Sequence, residues 1–268
     1  MYAESDNWAD LEPPSDAPVE IRLLGSLQVR KHGQAIGSRA AGRLGGLLAS
    51  LALASEPGVS REALLNAVWP DNELTLAGQS LNTLLHKLSL LLSDALHGKS
   101  PVVHRNGMYR LNCEAGINVD VVTFQQFARA GDRRRRIGEH ARAEACYERA
   151  IGVYAGDLFA GTSLHAIMER ERLRAWYLDL LDHLASYAAA GDDLDGILRF
   201  ASLMLANDPC REDAHRHLMR CYTRRGQRVQ ALRQFQLCAS VLQAEFGVEP
   251  EEATTVLLAQ IRSRPDSV

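Results

Sequence analysis

The chain has 268 residues, 46% hydrophobic and 24% charged, with a formal net charge of −3. Such a length allows a sizeable buried core and fits two domains better than one, while the lack of any apolar run near 20 residues argues against a membrane span. Five scattered cysteines, Cys113, Cys146, Cys210, Cys221 and Cys238, give no disulfide framework and fit a reducing compartment.

In chain order, residues 1–18 hold Glu4, Asp6, Asp10, Glu12 and Asp16 without a Lys or Arg. This composition reads as a disordered tail, the opposite of a signal peptide, so the expected location is cytoplasmic. VEIRLLGSLQVRKHGQAI then alternates apolar and polar positions and turns at Gly33, which predicts one or two strands. From Arg39 to Leu53, Leu44, Leu47, Leu48 and Leu51 recur at helical spacing, although Gly42, Gly45 and Gly46 each cost up to about 1 kcal/mol of helix propensity. Those glycines suit close helix packing. Ser60 is a good N-cap for a helix carrying Ala63, Leu64, Ala67 and Val68, which must stop at Pro70.

The next apolar set, Leu81, Leu84, Leu85, Leu88, Leu91 and Leu92, leaves Gln79, Ser80, Asn82, Thr83, His86 and Lys87 facing outward. This is the candidate recognition helix of a winged helix-turn-helix. Two short alternating runs follow, VVHR and MYRL, joined by Asn106-Gly107, the pair that best tolerates the two positive φ angles of a type I′ turn. That hairpin is the expected wing. Charge supports the reading: residues 20–119 hold ten Lys/Arg against seven Asp/Glu, and residues 120–268 twenty against twenty-one. The excess predicts modest attraction for phosphate.

From Asp120 the pattern becomes continuous helix with an internal repeat. Gly138, Ala143, Tyr147 and Ala150 recur as Gly191, Gly196, Phe200 and Leu203, and as Gly226, Ala231, Phe235 and Cys238, at identical offsets. A turn glycine, a small residue, an aromatic and another small or apolar residue form the tetratricopeptide pattern, in which small residues let paired helices approach. The longer interval from Gly138 to Gly191 must hold extra helix around Glu169–Leu184. The expected fold is therefore mainly α with a small β component. A disordered acidic tail (1–18) precedes a winged helix-turn-helix (19–118) and an all-α tetratricopeptide-like repeat domain (119–264).

Other features carry less. HGKS at 97–100 resembles the end of a phosphate-binding loop, but Ser93 stands where that loop needs glycine. Cys210, His215, His217 and Cys221 read as packing plus surface histidines, and no metal or cofactor is expected. Arg133–Arg136 read as a solvated turn between helices. No nucleophile elbow, HExxH or Gly-rich nucleotide fingerprint is present, so no catalytic residue is assigned and an enzyme is not expected.

The order strands, three helices, hairpin resembles the OmpR-type winged helix. Followed by such repeats, the chain resembles the SARP/AfsR family of bacterial transcriptional regulators, whose second half is the bacterial transcriptional activator domain. The similarity covers roughly Val19 to Arg264 and is most specific in VEIRLLGSLQV, REALLNAVWP, QSLNTLLHKL, GMYRLN, VDVVTFQQFA and GQRVQALRQFQLCASVLQAEFGVEPEEAT. It implies a small, stand-alone cytoplasmic activator that binds repeated promoter half-sites in double-stranded DNA and engages RNA polymerase holoenzyme. A homo-oligomer formed on the DNA is left open, and no membrane partner is implied. The resemblance also implies an arginine-rich recognition helix, where this chain has Asn82, Lys87, Ser89 and Leu90.

Base reading then falls to Gln79, Asn82, Thr83 and His86, with Ser80 beside them, since amide and hydroxyl groups bond base edges. Lys87, Arg105, Asn106 and Arg110, with Arg39, Arg43 and Arg61 near helix starts, are the candidates for phosphate contact. The arginine-poor helix keeps a second function open: a tetratricopeptide-type interaction scaffold whose winged helix no longer binds DNA.

Overall fold

The computed structural model describes residues 17–36, 42–54, 57–69, 74–159 and 164–263, with backbone alone for 74–79 and 164. The tail up to residue 16, Arg39 and Pro70 lie outside them. Contacts divide the chain into two compact units, one of residues up to Asp132 with Arg149–Arg174, the other of Arg133–Glu148 with residues from Ala175 onward.

The first unit opens with β1 (Val19–Arg22), β2 (Gln28–Lys31), β3 (Gln34–Ala35), α1 (Arg43–Ala52), β4 (Val59–Ser60), α2 (Arg61–Val68) and α3 (Leu74–Leu92). The wing strands β5 (Val102–Arg105) and β6 (Met108–Leu111) follow, then β7 (Ile117–Val119) and α4 (Asp120–Arg136). More strands form than the alternation predicts: β1, β2 and β3 are antiparallel neighbours, and β7 adds to β1 in parallel. His32 and Gly33, at φ 46° and 77°, make the tight turn between β2 and β3. Val19, Ile21 and Leu23 point inward and are fully buried, each worth roughly 1.5–3 kcal/mol relative to exposure.

Helix α1 starts after Gly42, whose φ of 68° suits glycine, and packs against α2, α3 and β6 through Leu44, Leu47, Leu48 and Leu51. Ser60 caps α2 by accepting the Ala63 N–H at 3.1 Å. Leu64, Leu65 and Val68 are the buried face of α2; Ala63, expected among them, is exposed. A second sheet, β4-β6-β5, joins the wing to the start of α2.

Asp120 fastens the end of β7 and the start of α4 to β1. Its buried carboxylate accepts the N–H groups of Leu23 (2.8 and 2.9 Å), Leu24 (2.8 Å) and Val121 (2.7 Å). Burial pushes the carboxyl above the ordinary aspartate range, and the three N–H donors work against that shift.

The remaining helices are α5 (His140–Val153), α6 (Leu164–Ala190), α7 (Leu194–Asn207), α8 (Glu212–Arg224), α9 (Arg228–Phe246) and α10 (Glu252–Ser263). Helix α6 passes from the first unit to the second at Ala175. Its 27 residues account for the long Gly138 to Gly191 interval, with no separate helix around Glu169–Leu184.

Within the second unit the repeat positions behave largely as the pattern requires. Ala143, Tyr147, Phe200, Ala231 and Cys238 are buried, and a Cβ added at Gly196 would lie 3.0 Å from that of Ala188. Gly138 and Gly226 take left-handed turns (φ 81° and 73°), but in the middle repeat Asp192 (φ 60°), not Gly191, does so. Ala231 packs with Met219, Leu257 and Ile261, joining α8, α9 and α10. The GVEPEEAT segment has a local cause: Gly247 ends α9 in a left-handed cap, and Glu212 accepts the Glu251 N–H at 3.0 Å just before α10.

The four arginines at 133–136 are not a solvated turn. They form the last turn of α4, where cations suit the helix dipole, and Arg134 is buried against Glu139 at 3.0 Å. Among the described residues, no helix is long and apolar enough to cross a membrane.

Candidate nucleic-acid interface

Helix α3 is held by its leucines and presents the opposite side. Leu81, Leu88 and Leu92 are fully buried, whereas Leu84, Leu85 and Leu91 are only half-buried. Asn82, Thr83, His86 and Lys87 are exposed and Ser80 is half-buried; Gln79 lies on the helix, its side chain outside the described residues. Leu90, 66% exposed, adds an apolar residue to the solvent side.

The wing forms as its turn residues dictate, with Asn106 and Gly107 both at positive φ (52° and 77°). Arg105 and Asn106 are exposed and Arg110 is half-buried. Behind the tip, His104 stacks on its cross-strand partner Tyr109 with ring centroids 4.1 Å apart.

One side chain ties these parts together. The Arg61 guanidinium donates to Asn82 Oδ1 (3.2 Å) and to the Tyr109 hydroxyl (3.3 Å), so one residue of α2 holds both α3 and the wing strand β6. Lys31 is committed to the fold in the same way, whereas Arg43 is exposed. Lys31 on β2 donates to the Leu91 carbonyl (3.0 Å) and pairs with Asp94 (2.6 Å), which holds the Asp94 carboxyl below its usual range. Arg43 lies over the Trp69 ring at 5.7 Å.

These contacts sort the basic residues. Arg61 acts as a clamp, a role its place beside the N-cap does not reveal in sequence, because its partners are 21 and 48 residues away. Lys87 and Arg105 are exposed and make no ion pair among the described residues. Asn82 shares its carbonyl oxygen with Arg61, so a two-bond contact to adenine through both amide atoms requires that oxygen to exchange partners.

The histidine and cysteine cluster is structural. His217 pairs with Asp182 at 3.0 Å and the buried Cys221 thiol donates to the Leu194 carbonyl at 3.3 Å. His215 is not a surface residue but fully enclosed. Its Nε2 donates to the Pro209 carbonyl (2.9 Å) and its Nδ1 accepts from the Gln234 amide (2.7 Å), an arrangement that suits the neutral ring. Burial lowers its pKa accordingly. The HGKS segment closes the end of α3, with Gly98 N–H donating to the Ser93 carbonyl at 2.8 Å.

Comparison with known proteins adds to this geometry. Residues 119–262 match the bacterial transcriptional activator domain. The chain is 24% identical over 252 residues to the regulatory protein AfsR of Streptomyces coelicolor, covering 93% of this chain and 25% of AfsR. With the regulatory protein DnrI of Streptomyces peucetius it shares 26% identity over 240 residues, 87% of this chain and 88% of DnrI. Among solved structures, Mycobacterium tuberculosis EmbR in complex with a low affinity phosphopeptide has the same fold, with a TM-score of 0.71 at 19% identity, covering 91% of this chain and 65% of EmbR. The chain thus spans a quarter of AfsR and somewhat under two thirds of EmbR.

Proposed function

Because the chain belongs to the bacterial transcriptional activator domain family of SARP/AfsR-type regulators, we propose that it activates transcription by binding promoter repeats in double-stranded DNA and contacting RNA polymerase. Helix α3 enters the major groove, where Asn82, Thr83 and His86 meet base edges. Lys87 and the wing residues Arg105, Asn106 and Arg110 meet phosphate. The observation that carries this reading is the Arg61 clamp. It fixes the exposed side of α3 and the wing to each other before any ligand arrives, which lowers the ordering cost of binding. The helical repeats then serve output: the match to an activator domain covers them, and their charges nearly cancel.

Salt titration of DNA affinity tests the reading. Each phosphate contact removed flattens the dependence of log affinity on log salt by about 0.9. Lys87→Ala and Arg105→Ala are expected to do so singly, and nearly additively together. An unchanged slope in both would favour the interaction-scaffold function instead.

A further inference from the structure

Leu90 departs from the pattern that turns the leucines of α3 inward. It is 66% exposed, whereas Leu81, Leu84, Leu85, Leu88, Leu91 and Leu92 are buried or half-buried. Among the described residues from 17 to 119 it is the only exposed large hydrophobic side chain. Helix geometry accounts for the exposure. At 3.6 residues per turn, Leu90 lies roughly 160° around α3 from the buried Leu88. It falls on one line with Thr83 and His86, at i, i+3 and i+7, and both of those are exposed. The line is the crest of the exposed side and runs roughly 10 Å, or about three base steps. Asn82, tied to Arg61, flanks it on one side and Lys87 on the other.

The charges nearby allow this crest to approach DNA. Helix α3 itself contains no Asp or Glu. Asp94, one turn beyond Leu90, would repel phosphate, but Lys31 pairs with its carboxylate at 2.6 Å. Of the groups that base pairs present in the major groove, the C5-methyl of thymine is the apolar one, and the rest donate or accept hydrogen bonds. Leucine can do neither. Against the methyl it removes apolar surface from water on both partners, which is the source of its preference.

We propose that Leu90 is a specificity-determining residue that recognises a thymine methyl in each promoter repeat, beside the base pairs met by Thr83 and His86. The proposal rests on the DNA-binding function given above and adds the base that the end of α3 selects.

The probe is a duplex that the full chain selects from a randomised pool, with each thymine then replaced singly by deoxyuridine, which lacks only the C5-methyl. In the wild type, one replacement per repeat should weaken binding about fourfold, the equivalent of roughly one buried methylene. Leu90→Ala should bind the unmodified duplex at least that much more weakly, and the same replacement should then have no measurable effect. Leu90→Met, which keeps an apolar side chain of similar length, should stay sensitive to it. The salt slope should be unchanged in both variants, because no charge is lost. A selected duplex without thymine, a flat scan in the wild type, or an undiminished deoxyuridine effect in Leu90→Ala would overturn the assignment and leave DNA binding standing. Reduced activation by Leu90→Ala in a reconstituted polymerase assay, at unchanged DNA affinity, would also overturn it and place a protein partner there. A chain that binds no duplex at all would overturn the DNA-binding function, and this proposal with it.

Discussion

His215 shows how one side chain ties stability to pH. Its neutral ring joins the Pro209 carbonyl to the Gln234 amide, and burial keeps its folded pKa below the ordinary value of 6.5. Between those two values the unfolded chain binds more protons than the folded one, so stability rises with pH. It is complete above about pH 6.5 and declines as pH falls through that value toward the folded pKa. His215→Phe should cost about 2 kcal/mol at pH 7.5 by stranding both partners, and should flatten this dependence. Urea midpoints at pH 7.5 and 5.5 measure both effects; an undiminished pH dependence would place the titration on another group. Arg61 calls for a different comparison. Arg61→Met should weaken DNA binding at least tenfold by loosening α3 and the wing, yet leave the salt slope as it was, because the guanidinium serves protein partners. A slope reduced by about 0.9 would make Arg61 a phosphate contact instead.

At the scale of elements, what could be read in the sequence follows the range of the interaction. The wing turn rests on adjacent residues, Asn106 and Gly107, and the α2 cap on Ser60 and Ala63, so both are visible in a short window. The exposed side of α3 follows from leucine spacing, hence its Asn82, Thr83, His86 and Lys87 surface was also legible. Strand β7 was not, since its three residues become a strand only by pairing with β1 from the other end of the winged helix. The Arg61 clamp and the burial of His215 depend likewise on partners distant in sequence. Asp120 belongs with them. Asp120→Ala would leave the N–H groups of Leu23, Leu24 and Val121 without their acceptor, at about 1–3 kcal/mol each where no water replaces it. A loss of at least 3 kcal/mol in urea unfolding is expected, with Asp120→Asn milder because one oxygen remains. A loss below 1 kcal/mol would mean that water takes over the acceptor role.

For the whole molecule, the distribution of charge separates two tasks that a net value of −3 conceals. Residues 20–119 are basic on balance, whereas residues 120–268 are nearly neutral and devote their repeat positions to helix packing. Damage to the repeats should therefore reach output before it reaches DNA binding. Ala231 is the position to test, because it is fully buried among Met219, Leu257 and Ile261 where α8, α9 and α10 meet. An indole there has no room, and overpacking of this kind costs about 1–3 kcal/mol. The Ala231→Trp protein is expected to keep DNA affinity within about threefold of wild type, since 1–3 kcal/mol lost in the second unit leaves the α3 and wing contacts of the first intact. Its activation in a reconstituted polymerase assay should fall well below that. Full activation by a variant that circular dichroism shows to have lost helix would mean that the repeats are not the activating part.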